Sequence, residues 1–168
     1  MNRRLELGVV ALIAVLDQLT KLLVVARMEL YQTIPIVPGL LNLTHIRNSG
    51  VAFGLFNTAE FSYKPAVMAL VALLALVGVG LYAAQLPASH RWARGGLALI
   101  LGGAAGNLVD RARQGYVVDF VDAYWNGWHF WAFNVADAAI SVGVGLLVID
   151  LFRSEAAAPP AVEEPRVS

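Results

Sequence analysis

The chain contains no cysteine. Disulfides, thiolate metal sites and cysteine nucleophiles are excluded by that absence. Histidine is scarce: His45, His90 and His129 are far apart and form no metal-binding pattern such as H-E-x-x-H. No metal and no organic cofactor is expected. Charge is also scarce. Asp, Glu, Lys and Arg make up 14% of the 168 residues, against about a quarter in a soluble domain. The twelve basic and twelve acidic residues cancel, which argues against nucleic acid as a partner.

What the chain has instead is apolar length. Hydrophobic residues make up 58%. A helix needs about 20 apolar residues to cross about 30 Å of hydrocarbon, and four segments are candidates: 5–26, 65–86, 93–112 and 133–152. The start "MNRRLELGVVALIAVL" resembles a signal peptide. No small-x-small site follows it, and apolar character resumes at Leu22, so it is read as the first span. The expected fold is a mainly α membrane protein with four transmembrane helices, a single domain over 1–153. The tail 154–168, "SEAAAPPAVEEPRVS", is expected to be disordered.

Four spans place both termini on one side. Arg3, Arg4, Arg91, Arg94, Arg153 and Arg166 flank that side, against Arg27, Arg47, Lys64, Arg111 and Arg113 on the other, in longer segments. The positive-inside rule then favours cytoplasmic termini. Of the two outer segments, 27–64 is β-branched and broken by Pro35, Pro38 and Gly39, and is expected to form a small sheet on the membrane surface. The other, 113–132, is read as a loop or helix. Its Tyr124, Trp125, Trp128, Phe130 and Trp131 read as an interfacial aromatic belt rather than a ligand cage. Gly78, Gly80, Gly143 and Gly145 are expected to allow close helix packing.

The polar residues inside the spans converge. Asp17 and Lys21 lie late in the first, Asn107, Asp110 and Arg111 late in the third, Asn134 and Asp137 early in the fourth. Because the fourth span runs back, all seven fall in the half of the membrane nearest the long outer segments. Within each helix the spacings are i+3 or i+4, so each set shares a face. A charge at a helix centre costs about 2.5–3.5 kcal/mol on insertion scales, so such residues face a protein interior or a cavity. The plain alternative is that they only join helices, and Asp17–Lys21 could do that as a self-compensating pair.

Asp137 calls for a partner: Asp110, or Asp119 or Asp122 of "VVDFVD". Two carboxylates in one cleft do not easily both ionise, and a pair sharing a proton can activate water against an amide. Arg111 beside Asp110 favours a supporting role for that acid. Asp119, between a valine and a phenylalanine, is favoured over Asp122 by desolvation, though the same argument extends to Asp122.

"DQLTK" (17–21), "RNSGVAF" (47–53), "GNLVDR" (106–111), "VVDFVD" (117–122) and "FNVAD" (133–137) closely resemble, in order, the motifs of the lipoprotein signal peptidase (signal peptidase II) family. The resemblance covers residues 5–152. It implies an intramembrane aspartic endopeptidase of the bacterial inner membrane. Such an enzyme removes signal peptides from diacylglyceryl-modified prolipoproteins, cutting before the lipidated cysteine. It implies Asp119 and Asp137 as the catalytic dyad, with Asp17, Lys21, Asn48, Gly50, Asn107, Asp110, Arg111 and Asn134 as supporting positions. It further implies contact with membrane lipids and sensitivity to globomycin-type cyclic peptides. A small proton-coupled carrier is the competing reading, since intramembrane acids also mark proton relays. A carrier should show inverted repeats and a midplane site, whereas the polar cluster here is off-centre. A non-catalytic scaffold leaves the cost of the acids unexplained.

Overall fold

The computed structural model describes residues 2–50 and 61–156. Among them are four helices, α1 (Arg3–Arg27), α2 (Lys64–Gln85), α3 (Arg91–Gln114) and α4 (Val135–Ala156), and four strands, β1 (Thr33–Val37), β2 (Leu41–Asn48), β3 (Val117–Trp125) and β4 (Trp128–His129). The helix starts and stops follow local chemistry. Asn2 caps α1, its side chain accepting the Leu5 N–H at 2.8 Å. Pro65 occupies the first turn of α2, where its missing N–H costs nothing. Gly115, at φ 79°, ends α3 in the left-handed conformation.

α1, α2 and the Val135–Arg153 part of α4 are long and apolar enough to cross a membrane, and the chain is a multi-pass membrane protein. α3 differs from the expected third span: it forms a helix of 24 residues but does not meet that apolar standard. It is the central helix, packed against α1, α2 and α4, with Ala93, Gly96, Leu97, Ala98, Gly102, Gly103, Gly106, Asn107 and Asp110 buried. Small residues make the approach close. A Cβ on Gly96 would lie 2.5 Å from the Gly143 carbonyl oxygen, and one on Gly143 would lie 2.5 Å from that of Gly96. Of the four glycines expected to pack helices, only Gly143 does so. Gly78 and Gly145 have open space where a Cβ would be, and Gly80 meets Leu101 at an ordinary 3.9 Å. Gly96, Gly102, Gly103 and Gly106 of α3 supply the tight contacts instead.

The sheet is antiparallel in the order β1-β2-β3-β4 and is larger than expected. The 113–132 segment carries strands, not a loop or helix: β3 runs nine residues and pairs with β2, placing Ile46 opposite Asp119 and Asn42 opposite Asp122. Asn126 (φ 50°) and Gly127 (φ 80°) turn β3 into β4, the two-residue turn that matches strand twist. The expected aromatic belt is arranged around this hairpin, with Trp125, Trp128 and Trp131 exposed. Val118 and Phe120 of β3 pack on Val24 and Met28 at the end of α1, which docks the sheet on the helices. The backbone of α4 stays helical to Ala156, three residues into the expected tail. The rest of that tail, and residues 51–60 of the "RNSGVAF" region, lie outside the described residues.

Candidate active site

The fourth helix starts at Val135, two residues later than the apolar run suggests, and its start builds the site. Asn134 is the residue before α4, and its Oδ1 accepts the Asp137 N–H at 3.0 Å. Asp137 Oδ2 accepts the Asn134 N–H at 3.2 Å. The reciprocal pair is a capping box, with Asn and Asp in place of the usual Ser and Glu. It explains the one-turn spacing of these two residues.

The Asn134 side chain then reaches β3. Its Nδ2 donates to Asp119 Oδ1 at 2.7 Å, and the Val118 carbonyl and Asn107 Oδ1 lie 3.3 Å away. Asn134 thus touches both carboxyls, one through its side chain and one through its backbone. Asn107 of α3 donates from Nδ2 to Asp137 Oδ1 at 2.8 Å, and its own Oδ1 accepts from Lys21 Nζ at 2.8 Å. Asn48, at the end of β2, donates to Asp119 Oδ2 at 3.0 Å. Its Oδ1 accepts the Gly50 N–H at 3.0 Å in an Asx-type turn. Arg111 Nη2 donates to the Gly50 carbonyl at 2.9 Å, fastening this turn to α3.

Beneath lies an ionic base. Lys21 Nζ sits 2.8 Å from Asp17 Oδ2 and 2.9 Å from Asp110 Oδ2. Asp17 is fully buried, Lys21 is 3% and Asp110 4% exposed. A buried charge is tolerable only when paired and hydrogen-bonded, and here each is. Among the described residues no buried side-chain nitrogen or oxygen lacks a partner.

The ten residues singled out in the sequence therefore form one connected network. The three candidate partners of Asp137 differ in their surroundings. Asp119 shares Asn134 with Asp137, whereas Asp110 is engaged by Lys21, by the Val118 N–H at 3.2 Å and by Gln18 at 2.9 Å. Asp122, three residues along the strand and so on its opposite face, accepts from Asn42 at 2.8 Å and pairs with His129 at 2.9 Å. It borders a separate cavity of about 340 Å³ with Thr33, Thr44 and His129. Gln18 was missed: it is uncharged, and its signal was only its place in "DQLTK". Its Nε2 also reaches the Gly106 carbonyl at 3.1 Å.

The carboxyls are unequal. Asp119 is 2% exposed, and burial pushes its carboxyl from 3.8 up to about 7. The charge of Asp137 adds to the rise, and the hydrogen bonds from Asn48 and Asn134 oppose it. Asp137 is half-buried and accepts two N–H bonds. The arrangement places a carboxyl with a raised proton affinity and a second, more accessible carboxyl on the same asparagine. Among the described residues no group of histidines and acids is disposed to hold a metal ion.

The chain has counterparts among known proteins. The chain is similar to solved structures described as bacterial membrane enzymes. One aligns with a TM-score of 0.82 at 26% identity, covering 94% of this chain and 93% of that one. The lipoprotein signal peptidase of Geobacter metallireducens is 46% identical over 154 residues, 92% of this chain and 94% of the relative. That of Haemophilus influenzae is 43% identical over 142 residues, 84% and 81% respectively. The Peptidase_A8 family, signal peptidase (SPase) II, matches residues 9–153. The chain belongs to this family of aspartic peptidases, and its activity is that of a lipoprotein signal peptidase, the processing of prolipoproteins.

Proposed function

We propose that Asp119 and Asp137 are the catalytic dyad and that the chain cuts a diacylglyceryl-modified prolipoprotein before its lipidated cysteine. The carrying observation is Asn134, which donates to Asp119 Oδ1 at 2.7 Å through its side chain and to Asp137 Oδ2 at 3.2 Å through its backbone. One residue thereby holds the two carboxyls at neighbouring positions.

In this reading Asp137 is the base and Asp119 the acid. Asp137 takes a proton from water as the water oxygen bonds to the scissile carbonyl carbon. Asp119 gives its proton to the carbonyl oxygen, yielding a neutral tetrahedral diol. When the C–N bond breaks, Asp137 passes its proton to the leaving amine of the lipidated cysteine, and Asp119 regains one from a hydroxyl of the diol. Asn107, Asn48 and Asn134 hold the carboxyl orientations, and Arg111 holds the Asn48–Gly50 turn against the site. Proximity and orientation of this kind account for several kcal/mol of a barrier.

The network joins the late part of α1 and α3 to the start of α4, beside the sheet. With the termini in the cytoplasm, as the arginine distribution favours, the site faces outward in the bacterial inner membrane. The exposed leucines and valines of α1, α2 and α4 then offer the two acyl chains and the membrane lipids an apolar surface. A globomycin-type cyclic peptide would compete for the same site.

The test is cleavage of a lipidated precursor by purified protein in detergent, using wild type, Asp119→Asn, Asp137→Asn and Asp122→Asn. Wild type and Asp122→Asn should cut, the other two should not, and globomycin should block the reaction. Cleavage by Asp119→Asn at the wild-type rate would refute the dyad.

A further inference from the structure

Each proposed catalytic aspartate is preceded by a residue whose backbone N–H is held by a different, buried aspartate. Val118 precedes Asp119, and its N–H donates to Asp110 Oδ2 at 3.2 Å. Ala136 precedes Asp137, and its N–H donates to Asp17 Oδ1 at 3.0 Å. Both anchoring points are sealed, with Val118 1% and Ala136 0% exposed. Lys21 bridges the two holding carboxylates at 2.8 and 2.9 Å. Gln18 braces the bridge, donating to Asp110 Oδ1 at 2.9 Å and to the Gly106 carbonyl at 3.1 Å, with Asp17 Oδ2 3.4 Å away. Gly106 leaves the room this needs, since a Cβ there would lie 2.5 Å from Asp17 Oδ2.

We infer that Asp17, Lys21 and Asp110, braced by Gln18, are positioning residues that set the separation of the two catalytic carboxyls through the main chain. This inference rests on the proposed dyad. β3 is tied to the start of α4 by main-chain bonds between Val121 and Phe133, at 2.8 and 3.0 Å, and by the Asn134 side chain, but neither link fixes that junction against the rest of the helices. The ionic bridge ties the backbone of both to α1 and α3 within one residue of each reacting carboxyl. Its bonds are charge-assisted and water-excluded, which makes them strong and short. A fixed separation matters because a misplacement of about 1 Å can cost about 100-fold in rate.

Gln18 is the informative position, because removing its carboxamide leaves every charge in place. Gln18→Met and, independently, Gln18→Leu are assayed against a lipidated precursor in liposomes, with thermal unfolding measured alongside. Wild type and Asp119→Asn serve as controls. The expectation is a kcat lowered about tenfold or more, a KM within about twofold, and an unfolding midpoint close to wild type. The inference is overturned if kcat is unchanged in both variants, or if it falls only in proportion to lost folded protein. Failure of the dyad itself would look different: wild type would be inactive, or Asp119→Asn would be active.

Discussion

α2 and α3 are almost the same length and lie side by side, yet they treat the membrane in opposite ways. α2 carries no charge after Lys64 and buries only Lys64 and Met68 among its residues; most of its leucines and valines are exposed. α3 carries glycine, asparagine, aspartate and arginine, falls short of the apolar standard for a span, and buries nine residues. Lipid is as apolar as leucine, so a helix facing it needs no particular pattern. A helix surrounded by other helices can carry polar groups, provided each finds a partner. The less a helix of this chain resembles a membrane span, the more of the reaction site it supports.

Substitutions should separate the two helices. The largest effect is expected at Asn107, which joins Lys21 to Asp137: Asn107→Ala should lower kcat by about 100- to 1000-fold, the range for losing a preorganised polar contact at a reacting centre. Precursor-cleavage kinetics check it, and near-normal kcat would remove α3 from the chemistry. Next, Gly103→Leu should destabilise the protein by about 1–3 kcal/mol or more, because even a Cβ there collides with the Ala136 carbonyl. Gly78→Leu on α2, with nothing nearby, should be tolerated. Unfolding of the two variants in detergent tests the contrast directly.

A smaller, graded effect belongs to pH. If Asp119 must be protonated, the rate should fall about tenfold per unit once pH rises past about 7. The sign for stability agrees: between 3.8 and about 7 the folded chain holds a proton that the unfolded chain releases. That contribution is full below 3.8 and lost above about 7. Asp119→Asn should flatten this part of the stability–pH curve. Smallest of all, Val77→Ala on the lipid face of α2 should change kcat by less than about twofold; a large loss there would mean α2 contacts more than lipid.

The polar level was readable because helices are periodic: Asp17 with Lys21, Asn107 with Asp110 and Arg111, and Asn134 with Asp137 announce shared faces before any coordinates exist. The proposed partner of Asp137 was only half readable, since Asp119 and Asp122 have similar neighbours and strand pairing decides which face each takes. β3 was missed although "VVDFVDAYWNGWH" carries its β-branched residues and an Asn-Gly turn; the aromatic content drew the reading toward a belt. The central role of α3 was not legible either. Hydropathy measures what a helix would do in lipid, and α3 is largely surrounded by protein. Gln18 stayed hidden because a neutral amide in a helix carries no charge cost that would call for explanation.

Asp137 closes the first turn of its own helix by exchanging bonds with Asn134. Any change that empties this position also unpicks a helix end, so a silent enzyme and a loosened scaffold come together. An amide of the same shape keeps an oxygen for the Asn134 N–H, whereas alanine leaves that donor orphaned. With Asp137 as the proposed base, asparagine at 137 is therefore the choice for capturing the precursor uncut: it keeps the bond that closes the helix end and gives up only the one from Asn107 Nδ2.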